Sequence, residues 1–168
     1  MKKIILLGSL LVLTACSNSL DTTKLIESKN SEEGFMKFYS APSVDVAIDS
    51  LPYEVNLPEQ LPINAKKFDS LGITDFGGKG LNPEASFITS DENSNELIIT
   101  TTTANVEYPD TTPKEITLKN GYQAFYMAPN RLDVVVKNVT YLYTLIMPEL
   151  EESQIEEELL KLAEQLTE

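Results

Sequence analysis

The sequence predicts an α+β fold in which an antiparallel meander β-sheet carries a C-terminal α-helix packed across it, with a short helix near the N-terminus. Three observations predict this fold. Runs rich in β-branched and aromatic residues fill the middle of the chain, which suits a pleated sheet. Asn120-Gly121 separates two of these runs, which indicates a hairpin. Apolar residues at helical spacing follow Pro148.

The predicted domain spans residues 43–168 and opens with a short amphipathic helix. From Val44 to Leu51 the apolar residues recur at i, i+3, i+4 and i+7. Ser43 is a favoured N-cap residue, and Pro52 stops the helix.

Prolines punctuate the segment that follows, from Pro52 to Pro62. Because proline cannot donate a hydrogen bond to a sheet ladder, we expect this segment to be extended and to lie over the core at an edge. The polar residues 91–96 are expected to form a turn between strands. The strand-like runs of this region are residues 67–76, 85–89 and 97–106.

Residues 115–119 and 122–128 are predicted to pair as a hairpin around Asn120-Gly121, whose two-residue turn needs left-handed backbone at both positions. Pairing Lys119 with Tyr122 then sorts the side chains onto two faces. One face would carry Ile116, Leu118, Phe125 and Met127, and the other Tyr122, Ala124 and Tyr126. A second pair, residues 132–136 and 139–147, completes a four-stranded meander around Lys137-Asn138.

A C-terminal helix is predicted from a capping box of Ser153 and Glu156 through Leu166. Its outer face is strongly acidic, since eight Glu and one Lys lie between Glu149 and Glu168. The apolar stripe that must pack on the sheet consists of Ile155, Leu159, Leu160, Leu162, Ala163 and Leu166.

The N-terminal fifteen residues have the pattern of a secretory signal. Lys2 and Lys3 precede an apolar run from Ile4 to Val12. This run is too short to cross a bilayer of about 30 Å as a helix. Residues 1–15 are therefore expected to direct export and to be removed.

Leu13, Thr14 and Ala15 directly precede Cys16, the only cysteine, and together they resemble the lipobox of bacterial lipoproteins. The resemblance implies that diacylglycerol is attached to Cys16 through a thioether and that the chain is cleaved just before Cys16. Two acyl chains anchor a protein stably where one does not. We therefore expect the protein on the outer face of the cell membrane, held by lipid. The alternative is an ordinary signal peptide with an incidental cysteine.

Residues 16–42 are expected to be the lipidated cysteine and a flexible tether, because their polar composition cannot offset the entropy of ordering. A coil of about 25 residues has an rms reach of roughly 28 Å. Apolar side chains in this segment are expected to dock on the domain in preference to touching the membrane. They are Phe35, Met36, Phe38 and Tyr39.

The order of short helix, proline segment, sheet, Asn-Gly hairpin and capped helix resembles an uncharacterised domain family of Gram-positive lipoproteins and membrane-bound regulatory proteins, in which the domain lies on the outer face. The resemblance spans about Ser43 to Leu166. It rests on Leu51-Pro52-Tyr53-Glu54-Val55-Asn56-Leu57-Pro58, Leu61-Pro62 and Leu159-Leu160-Lys161-Leu162-Ala163-Glu164. More distantly, the chain is similar to lipoprotein-carrier and periplasmic stress-sensor folds, which hold acyl chains. Their central strands are usually rich in Trp, and this chain has none.

Charge and composition exclude several functions. The net charge is −13 at pH 7, and it becomes −15 without Lys2 and Lys3. Such a protein is repelled by nucleic-acid phosphate, so nucleic acid is not an expected partner. The absence of His rules out Ser-His-Asp triads and His/Cys zinc sites within one chain. We expect no enzymatic activity, no metal and no cofactor.

Two polar loops are open to a second interpretation. Gly77-Gly78-Lys79-Gly80 is expected to be a turn, because it lacks the spacing of a phosphate-binding loop. Asp91, Asn93 and Asn95 share the first three ligand spacings of a calcium loop, but Glu96 stands where that loop needs Gly. A polar hairpin turn is the expectation there, with a weak calcium site as the alternative.

Four tyrosines form the candidate ligand surface: Tyr122, Tyr126, Tyr141 and Tyr143. If the two pairs share one sheet face, their rings could form an aromatic platform with hydroxyls that orient a ligand. The alternative is that they stabilise the sheet across strands. The sequence thus predicts a non-catalytic binding or sensing module for an unknown protein, peptide or small molecule. The alternatives are a carrier for an acyl chain or hydrophobic peptide, and a structural surface lipoprotein.

Overall fold

The computed structural model describes residues 19–28, 36–65, 67–106 and 112–166. These ranges contain nine strands and two helices, and the predicted α+β class is confirmed. The elements are β1 (Ile26–Glu27), β2 (Met36–Ser40), α1 (Val44–Ser50), β3 (Ser70–Phe76), β4 (Pro83–Ser90), β5 (Glu96–Thr102), β6 (Lys114–Thr117), β7 (Gln123–Met127), β8 (Arg131–Val136), β9 (Val139–Ile146) and α2 (Glu152–Ala163).

All nine strands belong to one sheet, in the order β1-β2-β3-β4-β5-β9-β8-β7-β6. Every neighbouring pair is antiparallel. The last four strands form the predicted meander, and β9 joins it to the N-terminal half of the sheet by pairing with β5. The turn at residues 91–95 connects β4 to β5, as predicted.

The sheet has an inner face, which the helices and residues 51–65 cover, and an outer face that is partly exposed. The strand register aligns Phe87, Ile99, Tyr143 and Leu132 in one inner row across four central strands, and all four are fully buried. The predicted stripe of α2 packs on this face, with Leu159 and Leu162 buried in the same core cluster. The hydrophobic core therefore lies between the inner face and its covering segments.

As predicted, the proline segment forms no strand and lies over the core, but it crosses the middle of the inner face and the prediction of an edge position is wrong. Ser43 caps α1 by accepting a hydrogen bond from the Val46 N–H at 3.3 Å. Downstream, the Tyr53 hydroxyl lies 2.9 Å from the Thr101 carbonyl oxygen, and the Asn56 N–H donates to the Tyr141 hydroxyl at 3.0 Å. These bonds hold the segment across β5 and β9.

The sheet begins inside the predicted tether of residues 16–42. β2 pairs with β3 along its whole length, and Tyr39 is buried. Leu20 is also buried, and its N–H donates to the Gly80 carbonyl at 2.8 Å. Backbone pairing and these two apolar side chains offset the entropy of ordering. The prediction of a flexible tether is wrong for residues 19–28 and 36–40, and the domain starts before residue 43.

The hairpin between β6 and β7 has a different register from the predicted one. Thr117 pairs with Gln123, and the Leu118 N–H donates to the Tyr122 carbonyl at 2.9 Å, so the loop has three residues. Of Asn120 and Gly121, only Gly121 has a positive φ, of +89°. This geometry is a turn followed by one left-handed residue, the commonest three-residue hairpin loop.

The shift of one residue exchanges the two faces of the paired strand. Ile116 and Leu118 consequently share the inner face with Tyr122, Ala124 and Tyr126. The predicted grouping of Ile116 and Leu118 with Phe125 and Met127 is wrong.

The start of α2 also differs from the prediction. Glu151 is the N-cap, and the Gln154 side chain accepts a hydrogen bond from the Glu151 N–H at 3.0 Å. Glu151 and Gln154 have the same spacing as the predicted pair Ser153 and Glu156 but lie two residues earlier. The chain enters the helix early because the Leu150 N–H bonds to the Met147 carbonyl and turns the backbone directly after β9. The predicted capping box is therefore wrong.

Candidate functional site

The four candidate tyrosines do share one face of the sheet. The register aligns Tyr126 with Leu132 and Tyr143, and it aligns Ala124 with Val134 and Tyr141. This is the inner face, however, and Tyr126, Tyr141 and Tyr143 are only 4%, 2% and 0% exposed. Tyr122 is half-buried against the same core. The four rings therefore pack in or against the core, and the prediction of an open aromatic platform is wrong.

Tyr143 is the most deeply buried of these residues. Its ring stacks on that of Tyr141, with the centroids 6.3 Å apart and the planes 15° apart. Its hydroxyl has no hydrogen-bond partner among the described residues. Burial raises the pKa of Tyr143, so the hydroxyl stays protonated. Tyr143 therefore serves as a packed side chain of the core.

Two of the candidate tyrosines also line surface clefts. Tyr126 lines a cleft of about 610 Å³ together with Lys114, Glu152 and Glu156. Tyr141 reaches a smaller cleft, between the proline segment and the end of the sheet. We call this cleft the Tyr141 cleft; its volume is about 180 Å³. One wall is the proline segment and the other is the turn between β8 and β9. The lining residues are Pro52, Tyr53, Glu54, Asn56, Val136, Lys137, Asn138, Val139 and Tyr141.

Opposite charges face each other at the mouth of the Tyr141 cleft. The Lys137 ammonium lies 3.5 Å from a carboxylate oxygen of Glu54, and both side chains are mostly exposed. Lys137 has a positive φ of +56° in the turn, and this left-handed backbone conformation sets the direction of its Cα–Cβ bond. An exposed pair of this kind contributes little to stability, so both charges remain open to competition from a ligand.

The hydroxyl groups beside the cleft are neutral hydrogen-bonding groups. Burial raises the pKa of Tyr53 to about 12. Burial also raises the pKa of Tyr141, and the hydrogen bond from the Asn56 N–H opposes this effect in part. Neither phenol is ionised near neutral pH, so neither can act as a base or a nucleophile there.

The sequence did not indicate the cleft. Glu54 and Lys137 are far apart in the chain, and no local pattern joins them. The proline segment was predicted to lie over the core, and the Lys137-Asn138 turn was predicted as a turn. The pairing of β8 with β9 and the bonds from Tyr53 and Asn56 to the sheet bring the two together.

The sequence analysis also missed an ion pair on the outer face, in which a partly exposed arginine meets a buried carboxylate. The Arg131 guanidinium donates to both carboxylate oxygens of Asp133, at 2.8 and 2.7 Å, and Asp133 is fully buried. A sequence pattern could have predicted it: the only arginine of the chain lies two residues before an aspartate in a strand, so that the two side chains share a face. The bidentate geometry satisfies the buried carboxylate, which makes this pair structural.

The two polar loops are turns. The Asp75 carboxylate, itself buried, accepts the Gly80 N–H at 2.9 Å and so holds the glycine-rich loop. The Asp91 carboxylate accepts N–H bonds from Asn93 and Asn95, and the bond from the Asn95 side chain is the main cause of its lowered pKa. Among the described residues, no three Asp, Glu, His or Cys side chains are grouped to hold a metal ion.

Cys16 and the lipobox residues Leu13, Thr14 and Ala15 lie outside the described residues. In the ranges that are described, neither helix has the length and apolar character needed to cross a bilayer.

Comparison with known proteins finds no match. No family model, no curated protein and no solved structure matches the chain.

Proposed function

We propose that the protein is a membrane-anchored extracytoplasmic lipoprotein whose domain is a non-catalytic binding or sensing module. Cys16 would carry the diacylglycerol, and the Tyr141 cleft would receive part of the ligand. The signal pattern and the lipobox support the anchor. The observation that carries the binding role is the cleft itself, a small recess between two fixed walls with opposite charges at its mouth.

The dimensions of the cleft restrict the ligand. Sites for drug-sized molecules have volumes of roughly 300–1,000 Å³. At about 180 Å³, the Tyr141 cleft suits a single side chain or a small polar group. Because Glu54 and Lys137 present both signs of charge, the matching ligand is a peptide segment with polar or charged side chains, or a small zwitterion.

The chemistry of the residues supports a non-catalytic role. The chain has no His, and the phenols beside the cleft are held neutral by burial. The carboxylate at the mouth, Glu54, is highly exposed and paired with Lys137. Nothing here activates a nucleophile or a base.

The filled core favours a binding module over a carrier for an acyl chain. A carrier needs an apolar cavity between sheet and helix. In this protein Tyr143, Leu159 and Leu162 occupy that space, and each is at most 1% exposed. Insertion of an acyl chain would have to displace close-packed side chains.

A substitution at the mouth of the cleft tests the proposal. The acylated protein and its Glu54→Trp variant are used as bait with peptides and proteins extracted from the cell envelope. Glu92→Trp is the matched control, because Glu92 is also an exposed glutamate but lies in the turn between β4 and β5. We expect the wild type and the Glu92→Trp variant to retain a common ligand that the Glu54→Trp variant loses. Equal retention of the ligand by the wild type and both variants would refute the Tyr141 cleft as the binding site. Robust turnover of a substrate would refute the non-catalytic role.

A further inference from the structure

The chain just after Cys16 is fastened to the loop between β3 and β4. The Leu20 N–H donates to the Gly80 carbonyl at 2.8 Å. A Cβ atom on Gly80 would lie 3.0 Å from the Leu20 nitrogen and 3.5 Å from the Ser19 Cβ. Ser19 and Leu20 therefore lie directly against this loop.

The spacing of Cys16 from Ser19 limits how far the domain can stand from the bilayer. Three residues span at most about 11 Å when fully extended. If Cys16 carries the acyl chains, the β3–β4 loop must lie within about that distance of the lipid-linked residue. The reach expected of a long tether is not available, because the chain is fixed again at Ser19.

The β3–β4 loop has the side chains of a membrane-contacting surface. Phe76 and Leu81 flank it and are 50% and 58% exposed. Lys79, between them, is exposed and forms no ion pair with any described residue. Exposed apolar side chains beside a free lysine suit the boundary between acyl chains and phosphate headgroups.

Acidic groups occur at both ends of the sheet. At the loop end, Asp21 and Glu54 have Lys24 and Lys137 beside them. The carboxylates at the opposite end are more numerous. β4 leads away from the β3–β4 loop to the turn that holds Asp91 and Glu92. β9 ends at Ile146, which pairs with Glu96 beside that turn, and Glu149 and Glu151 follow. An anionic bilayer repels these carboxylates, which favours the orientation with the β3–β4 loop against the membrane.

We infer that the β3–β4 loop, from Phe76 to Leu81, is a second contact with the bilayer, beside the acyl chains. Phe76 and Leu81 enter the boundary between headgroups and acyl chains, and Lys79 meets the lipid phosphates. This inference rests on the proposed acylation of Cys16. It fixes the orientation of the domain, with the β3–β4 loop towards the membrane and the β4–β5 turn away from it.

The orientation can be measured with a single fluorescent label on the full-length acylated protein. Cys16 is the only cysteine, and its sulfur is consumed in the thioether, so a cysteine introduced by substitution is the only free thiol. One variant is Leu81→Cys in the loop. The control is Asn93→Cys in the β4–β5 turn, which is roughly 25 Å away along the eight residues of β4. Both positions are exposed, so neither substitution disturbs the core.

Each variant carries a polarity-sensitive fluorophore and is placed in vesicles of phosphatidylglycerol and phosphatidylcholine that contain a lipid with a nitroxide on its acyl chain. We expect roughly threefold or greater excess quenching at position 81 over position 93, because only the loop reaches the acyl region. A Lys79→Cys label should be quenched to an intermediate degree, at headgroup depth. Equal quenching at positions 81 and 93, or stronger quenching at 93, would overturn the inference.

The same samples separate this inference from the proposed function. Without acylation, the protein has a second free thiol at Cys16, takes up two labels and does not float with the vesicles, which overturns both proposals. With acylation and flotation intact but equal quenching at the two positions, the anchor stands and the loop contact fails.

Discussion

The side-chain amide of Asn120 donates a hydrogen bond to the Ala163 carbonyl oxygen at 3.1 Å, which ties the loop between β6 and β7 to the end of α2. The same nitrogen lies 3.2 Å from the Leu166 carbonyl oxygen. The last carbonyls of a helix have no partner within the helix itself. Asn120 thus adds, from the β6–β7 loop, a second donor to the Ala163 carbonyl, which also accepts the Leu166 N–H at 3.2 Å.

Replacement of Asn120 by Ala should destabilise the protein. Loss of the amide leaves the Ala163 and Leu166 carbonyls without this donor, and we expect a loss of about 1 kcal/mol in the free energy of unfolding. Urea denaturation measures it. Asn138→Ala is the control, because Asn138 is also an exposed turn asparagine, and its effect should stay within about 0.5 kcal/mol. Equal losses would mean that the Asn120 cap contributes nothing.

Gly80 and Gly77 offer a matched test of the contact with Leu20. Both have positive φ, of +67° and +88°, so Ala is strained at either position. A Cβ on Gly80 would also lie 3.0 Å from the Leu20 nitrogen, whereas at Gly77 nothing lies within 4 Å. Gly80→Ala should therefore cost more than Gly77→Ala, by about 1 kcal/mol or more in unfolding free energy. The midpoints of chemical denaturation give the difference, and identical midpoints would argue against a close attachment of Leu20.

Tyr143→Phe should leave stability unchanged or raise it by up to about 1 kcal/mol, because the buried hydroxyl has no partner among the described residues. Tyr141→Phe should instead lower stability by about 1 kcal/mol, since it removes the acceptor of the Asn56 N–H. Thermal unfolding of the two variants under one set of conditions compares them directly. A marked loss of stability in Tyr143→Phe would show that its hydroxyl is bonded after all.

Stability should fall at alkaline pH, in part through Tyr53. Its pKa is about 12 in the folded protein, against 10.0 for an ordinary tyrosine. Between these values the unfolded chain loses the phenolic proton while the folded chain retains it. Ionisation therefore stabilises the unfolded state and lowers the free energy of unfolding. The contribution of Tyr53 is complete below pH 10 and is lost as the pH rises towards 12.

The slope of stability against pH is the measurement for Tyr53. The free energy of unfolding is followed from about pH 9 to about pH 11, where unperturbed tyrosine ionises. The wild type should lose stability more steeply than Tyr53→Phe, because that variant lacks the group concerned. Parallel curves for the two proteins would contradict the raised pKa.

Local patterns were sufficient for elements whose sequence and burial agree. The capping serine of α1, the strands around the turn at 91–95 and the apolar stripe of α2 all follow rules that act within a few residues. The meander followed as well, because short turns force successive strands to be neighbours.

The errors have a different physical origin. β2 lies in a polar segment beside the two-residue edge strand β1, and its other partner, β3, is distant in sequence, so composition alone indicated a tether. The hairpin register depended on one residue: Asn120 is used to cap α2, and Gly121 alone takes the left-handed conformation. The Tyr141 cleft depends on Asn56 meeting Tyr141 across the inner face, which no local pattern encodes.

The state of Cys16 in the mature protein is the most direct test of the proposed lipoprotein. Intact-mass analysis of the protein purified from membranes should give a chain that begins at Cys16 and carries the added mass of diacylglycerol. A mass corresponding to a chain that begins at Met1, or to one that lacks the acyl groups, would contradict it.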